Sequence, residues 1–119
     1  MVVLIVEDSS DLRCLFARVL QRQGFRVYEA SNGREALACL TEVKPDVILT
    51  DVMMPEMDGI ELIRHLRSRP STAEIPVVVM TAAESDEVKR GARRLGAADV
   101  LAKPLEPRTL LERVNDVRR

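Results

Sequence analysis

Acidic, hydroxyl and ammonium side chains stand at the ends of four apolar runs in this sequence. Glu7 and Asp8 follow the first run, Asp51 follows the third, and Thr81 and Lys103 follow the last two. If these runs are parallel strands, their carboxyl ends lie at one edge of a sheet and the five side chains gather there. Three carboxylates in a partly dry cleft repel one another and resist ionisation until a cation neutralises them. The pattern therefore predicts a cation site beside a hydroxyl and an ammonium group.

The cation that this donor set fits best is Mg²⁺. It takes oxygen ligands and is usually held by one or two carboxylates, waters and a phosphate oxygen, without the larger cage that Ca²⁺ needs. Lys103 and Thr81 could then contact phosphoryl oxygens that face away from the metal. Each residue alone could instead be a helix cap or a solvated loop residue, and Glu7 and Asp8 could simply complement a helix dipole. Four chemically compatible strand ends together favour a phosphoryl site.

Five short apolar runs predict five strands. They cover Val2 to Val6, Arg26 to Ala30, Asp46 to Thr50, Pro76 to Met80, and Asp99 to Ala102. A stretch with helical spacing follows each run, the clearest opening after Ser9-Ser10 and closing at Gly24, while the fourth has the weakest apolar stripe. This alternation predicts an α/β fold with a parallel sheet, right-handed crossovers and ligands bound beyond the carboxyl ends of the strands.

Length, charge and cysteine content narrow the class of protein. The 119 residues carry a net charge of -1, which predicts one domain and argues against direct binding of nucleic acid. The first apolar run lacks the basic start and the length of a signal peptide or a membrane span, so we expect a cytoplasmic protein that binds no membrane. Cys14 and Cys39 fit no metal-ligand spacing and are expected to be reduced thiols.

Four separated motifs give the sequence a family resemblance. The string D-x-x-M-P-x-M-D-G runs from Asp51 to Gly59, after Val6-Glu7-Asp8 and before Met80-Thr81-Ala82 and Lys103-Pro104. In identity and order these motifs resemble the receiver domain of two-component response regulators, chemotaxis regulators among them. The resemblance covers residues 1–119 and implies a doubly wound (βα)5 flavodoxin-like sandwich of three layers, with strand order 2-1-3-4-5. It also leaves open an effector domain beyond this chain.

The resemblance assigns a role to each motif residue. Asp51 matches the phosphoacceptor, whose donor is a phosphohistidine on a sensor histidine kinase or a histidine phosphotransfer protein. Lys103 matches the lysine that pairs with the phosphoryl group, and Thr81 the switch hydroxyl. The Mg²⁺ ligands implied are Glu7, Asp8, Asp51 and the backbone carbonyl of Met53. The same resemblance implies a cis peptide bond at Lys103-Pro104 and a rigid loop containing Pro55 and Gly59.

Two positions depart from the family pattern. Val100 stands where many receivers carry Tyr or Phe that turns with the switch hydroxyl, and Leu105 replaces a common Phe. The predicted output surface comprises the fourth helix, the fifth strand and the last helix, acting on an effector domain or protein. A phosphorylation-dependent homodimer through that surface would use charged pairs, of which Asp99 with Arg113 is one.

Three other functions are alternatives to a phosphoacceptor. A flavodoxin-like cofactor binder would place phosphate in the loop where Glu7 and Asp8 present negative charge, so repulsion argues against it. An aspartate-nucleophile phosphohydrolase would carry a second acid where Met53 stands. A receiver fold that acts as a phosphorylation-independent interaction module remains the alternative to a phosphoacceptor, although Asp51, Thr81 and Lys103 are all present.

Overall fold

Strands and helices alternate through residues 1–54, 56–82 and 86–117, which the computed structural model describes. The strands are β1 (Val2–Val6), β2 (Arg26–Ala30), β3 (Val47–Asp51), β4 (Val77–Thr81) and β5 (Asp99–Ala102). The helices are α1 (Ser10–Arg22), α2 (Gly33–Cys39), α3 (Gly59–Arg67), α4 (Asp86–Arg94) and α5 (Pro107–Val117). The predicted five βα units are confirmed. Pro55 and residues 83–85, 118 and 119 lie outside the described residues. The sequence predicts that the fourth helix begins near Glu84, which is one of them.

The five strands form one parallel sheet in the order β2-β1-β3-β4-β5, which confirms the predicted topology. Alternate residues of each central strand point to opposite faces, so Leu4 and Val6 join one core and Val3 and Ile5 the other. Helices α2, α3 and α4 cover the first core, and α1 and α5 cover the second. The result is the three-layer arrangement that places all carboxyl strand ends at one edge.

The predicted bounds of β3 and β4 are each wrong by one residue. Asp51 pairs with Met80 in the ladder, and Thr81 pairs with Ala102, so both polar residues end a strand rather than follow it. At the other end, Pro76 has no N–H to donate and only its carbonyl accepts, from Ile48. Asp51 and Thr81 are consequently fixed by sheet hydrogen bonds, which makes their positions firmer than a loop would.

Helix ends follow the predicted signals. Ser9 is the N-cap of α1, where its side chain accepts a hydrogen bond from the Leu12 N–H, and Gly24 after that helix has a φ of +89°. Helix α4 buries only Ala92 among its described side chains, in agreement with its weak apolar stripe.

Cys14 and Cys39 are free thiols. Within the described residues, no helix has the length and apolar character needed to cross a membrane.

Candidate functional site

Three carboxylates meet where β1 and β3 end. One oxygen from each of Glu7, Asp8 and Asp51 lies within 4.8 Å of the others. Glu7 and Asp51 are buried, with 1% and 5% of their surfaces exposed, whereas Asp8 is open to solvent. The neighbouring positions of β1 and β3 in the sheet produce this convergence, because both strands end at the same edge. The arrangement offers a cation hard oxygen ligands on one side and access to solvent on the other.

Lys103 joins two of these acids. Its Nζ donates to Glu7 Oε1 at 2.5 Å and to Asp51 Oδ2 at 2.9 Å, and its own side chain is only 15% exposed. Burial raises the pKa of the Glu7 carboxyl, and hydrogen bonds from Lys103 and the Ser9 N–H only partly offset that effect. Burial acts to lower the pKa of the Lys103 ammonium, but its hydrogen bonds to Glu7 and Asp51 outweigh this, and the pKa is raised overall. Lys103 therefore stays charged and balances part of the acidic cluster.

The backbone around Asp51 is closely packed. The Thr50 hydroxyl donates to the Asp51 carbonyl at 3.0 Å, and the Met53 N–H donates to Asp51 Oδ1 at 3.2 Å. Helix α3 starts against this backbone, since a Cβ added to Gly59 would lie 2.3 Å from the Asp51 carbonyl oxygen. Only glycine fits such an approach. The acceptor carboxylate is thus held by its strand, the following turn and the start of a helix.

Thr81 and Lys103 are linked through the backbone. The Lys103 N–H donates to the Thr81 carbonyl at 2.9 Å, and Thr81 is fully buried at the end of β4. The Lys103-Pro104 peptide bond is cis, as the family resemblance implied. The structure thus brings Glu7, Asp8, Asp51 and Lys103 together and sets Thr81 on the adjacent strand end. The switch role of Thr81 and the metal-binding role of the Met53 carbonyl stay predictions, and Pro55 lies outside the described residues.

Arg13 also contacts the site, although the sequence did not predict it. Its Nη1 donates to the Glu7 carbonyl at 2.7 Å, and its Nε donates to Glu29 Oε1 at 3.3 Å. Helix α1 also carries Arg18 and Arg22, and no feature of the sequence distinguishes Arg13 from them. The contact arises because the first turn of α1 faces the end of β1, which only the folded structure shows. Arg13 lies next to the acidic cluster without being an obvious member of it.

Comparisons with known proteins agree with this geometry. The family model of the response regulator receiver domain matches residues 3–115. The chain belongs to that family, whose members are signalling domains of two-component systems.

Relatives show how the domain is used elsewhere. The chain is 36% identical to protein PilH of Pseudomonas aeruginosa over 97% of its own length and 95% of PilH. It is 38% identical to the phosphate regulon transcriptional regulatory protein PhoB of the same organism, covering 98% of this chain but 51% of PhoB. The chain therefore spans about half the length of the PhoB relatives that it matches. Among solved structures, chemotaxis protein CheY4 of Vibrio cholerae superposes with a TM-score of 0.93 at 37% identity, over 98% of this chain and 97% of CheY4.

Proposed function

We propose that this chain accepts a phosphoryl group on Asp51 from a phosphohistidine of a sensor histidine kinase or a histidine phosphotransfer protein. The observation that carries the proposal is the contact between Lys103 Nζ and Asp51 Oδ2, at 2.9 Å, inside a cluster of three carboxylates. A cation beside a buried carboxylate suits a residue that must receive a negatively charged group. This supports a phosphoacceptor more than a solvated acidic surface.

The transfer proposed is a single displacement at phosphorus. A carboxylate oxygen of Asp51 forms the new P–O bond while the P–N bond of the phosphohistidine breaks, and the electron pair of that bond stays on the imidazole nitrogen. Lys103 pairs with the phosphoryl oxygens as they move onto Asp51, and the Thr81 hydroxyl binds another of them. Because Asp51 is only 5% exposed, the donor reaches it from the open edge of the sheet alone.

The acidic cluster suits a divalent cation. With all three carboxylates ionised, Lys103 offsets one of their charges and leaves two negative charges, which the two positive charges of Mg²⁺ would neutralise. We propose Glu7, Asp8, Asp51 and the Met53 carbonyl as its ligands. When bound, Mg²⁺ supplies positive charge that offsets the charge on the transferring phosphoryl group. We propose that Lys103 exchanges its hydrogen bond to Asp51 Oδ2 for one to a phosphoryl oxygen when that group arrives.

The phosphodonor protein is proposed to dock beside Lys103. An apolar groove of about 420 Å³ opens there between α1 and the segment after β5, lined by Leu12, Leu15, Phe16 and Leu105 among others. Leu15 is 48% exposed, so the apolar lining of the groove is open to a partner. A helical protein that presents apolar side chains around its phosphohistidine would cover this groove and exclude water from the transfer.

The output is proposed to leave through α4, β5 and α5. We expect an effector domain or a separate effector protein to bind there, in a cytoplasmic setting and without contact to nucleic acid or membrane by this domain. Arg113 Nη1 donates to Asp99 Oδ2 of the same chain at 2.8 Å. In a phosphorylation-dependent homodimer, Arg113 of one chain would bind Asp99 of the other. The bond between these residues within each chain would first have to break.

Phosphorylation by acetyl phosphate in the presence of Mg²⁺ tests the proposal. The wild-type chain is expected to gain one base-labile phosphoryl group, detected by intact mass, and Asp51→Asn is expected to gain none. Asp11→Asn, which removes an exposed acid of α1 outside the site, serves as the matched control and should be phosphorylated like the wild type. Absence of phosphorylation in the wild type, with a small donor and with phosphorylated kinases alike, would favour the phosphorylation-independent interaction module.

The acyl phosphate is expected to be long-lived. Met53, next to the acceptor and 67% exposed, has no group that could orient an attacking water, and Ala83, the other flanking position, lies outside the described residues. Met53→Asn should therefore shorten the phosphoryl lifetime several-fold, whereas Met53→Leu should leave it unchanged. Equal decay rates in the wild type and Met53→Asn would show that Met53 does not set the lifetime.

A further inference from the structure

We propose that Arg13 is a positioning residue that orients the acidic pair for Mg²⁺ without touching the metal. Its guanidinium bridges two elements, donating from Nη1 to the Glu7 carbonyl at 2.7 Å and from Nε to Glu29 Oε1 at 3.3 Å. The first bond ends on the backbone of a candidate ligand, and the second fixes the guanidinium against β2. This inference rests on the proposed Mg²⁺ site.

The Glu7 carbonyl belongs to the peptide unit that joins Glu7 to Asp8. Because a peptide unit is planar, a bond that fixes its carbonyl also fixes the direction in which the chain enters Asp8. On the other side of the residue, the Glu7 N–H donates to the Ala30 carbonyl at 3.0 Å. Arg13 thus completes the restraint of the backbone that carries both acids. Asp8 is exposed, so packing does little to hold it, and its approach to the other two carboxylates depends on this backbone.

An alternative role for Arg13 is a plain surface ion pair with Glu29, which is 43% exposed. The two roles predict opposite effects on cation binding. If Arg13 acts only through its charge, its removal takes away a positive charge near the site, and Mg²⁺ binds more tightly. If Arg13 holds the ligands in place, its removal lets them spread, and Mg²⁺ binds more weakly. Outer partners of metal ligands typically change metal affinity about 10- to 100-fold when they are replaced.

The test is a Mg²⁺ titration of the unphosphorylated chain, followed by the rise in melting temperature, which reports binding to the folded state. A fit of this rise gives the dissociation constant for Mg²⁺, which is called the Mg²⁺ midpoint below. Arg13→Met is expected to raise the Mg²⁺ midpoint about tenfold. Arg18→Met removes an exposed arginine from the same helix and should keep the wild-type midpoint. A residue with only a structural role would lower the melting temperature without metal but leave the midpoint unchanged.

A second variant, Arg13→Lys, keeps the test decisive if Arg13→Met does not fold. Arg13→Lys keeps the charge but lacks the rigid fork that reaches Glu7 and Glu29 together, so its midpoint should lie above that of the wild type and below that of Arg13→Met. An unchanged or lower midpoint in Arg13→Met, or in Arg13→Lys where Arg13→Met does not fold, overturns the inference. No Mg²⁺ effect in the wild type would instead refute the proposed metal site itself, which separates the two failures.

Discussion

At the scale of single residues, Lys103 makes the acidic cluster tolerable in the folded protein. Two buried carboxylates next to each other would cost several kcal/mol without a partner, about 3–5 kcal/mol by analogy with a broken buried ion pair. Lys103 bonds to Glu7, 96 residues away in the sequence, and to Asp51, 52 residues away. The proposed phosphorylation would give Lys103 a further partner, the phosphoryl group on Asp51.

The raised pKa of Glu7 predicts a stability that depends on pH. Because burial raises this pKa above the ordinary 4.5, the folded state holds a proton more tightly than the unfolded state between 4.5 and the folded-state value. The contribution of Glu7 to the free energy of unfolding therefore falls as pH rises through that window and is constant above it. Glu7→Gln removes this contribution. In metal-free buffer, the stability of Glu7→Gln relative to the wild type should rise with pH across the window, as measured by urea unfolding.

Glu35 provides a control of opposite sign. Hydrogen bonds that its carboxylate accepts from Ser31 lower its pKa below 4.5, so its contribution is present above 4.5 and is lost as pH falls through the folded-state value. Relative to the wild type, Glu35→Gln should therefore lose stability as pH rises toward 4.5 and stay constant above it. A Glu7→Gln difference with the same pH dependence as Glu35→Gln would mean that burial does not govern Glu7.

At the scale of elements, the sequence predicted the strands and helices well, and the site residues less completely. The five apolar runs became the five strands, and a polar residue follows each run. The ends of β3 and β4 were wrong because Asp51 and Thr81 are polar, yet continue the ladder. Burial pattern alone cannot show where hydrogen bonding stops. The gathering of Glu7, Asp8 and Asp51 at one edge of the sheet was predictable, but the Lys103 bridge was not, since it depends on side-chain directions.

Two glycines in neighbouring helices predict opposite effects of the same substitution. A Cβ at Gly91, in the middle of α4, would meet nothing within 4 Å, so Gly91→Ala gains helix propensity at no steric cost. We expect a stabilisation of about 0.5–1 kcal/mol, seen as a melting temperature about 2–5 °C higher. Gly59→Ala forces a carbon against the Asp51 carbonyl oxygen, and should destabilise the protein by about 1–3 kcal/mol.

The two variants also separate stability from chemistry. Gly59→Ala displaces the backbone that carries Asp51 and should slow phosphorylation by acetyl phosphate, whereas Gly91→Ala, far from that backbone, should not. If Gly91→Ala melts at or below the wild-type temperature, α4 in the folded protein does not behave as the regular helix described here. Normal phosphorylation of Gly59→Ala would show that the start of α3 does not hold the acceptor.

At the scale of the whole molecule, long-range contacts decide what local patterns cannot. Arg13 and Glu29 are 16 residues apart, and Lys103 and Glu7 are 96 apart, so neither contact follows from periodicity. The order of the strands came from the family resemblance rather than from the runs themselves. Asp99 and Arg113, expected to pair between chains of a dimer, pair within one chain. Sequence patterns fix which faces are apolar, whereas the pairing of charged side chains requires the assembled fold.

The route of the signal out of the site can be predicted from the way these elements are joined. Lys103 bonds to Asp51 by its side chain and to Thr81 by its backbone, so a phosphoryl group on Asp51 must disturb the end of β5. If the Thr81 hydroxyl moves toward the phosphoryl group, it leaves a space beside β5. Val100 lies in β5 on the face that packs against α3 and α4, and its branched side chain has few rotamers with which to fill that space. The displacement should therefore pass to α4, which buries only Ala92 of its described side chains. Amide hydrogen exchange with and without beryllofluoride, in Mg²⁺, should change across residues 82–95 and β5. Thr81→Ala should bind the mimic yet lose the change in α4. Changes confined to residues 52–58 would mean that this receiver signals through another face.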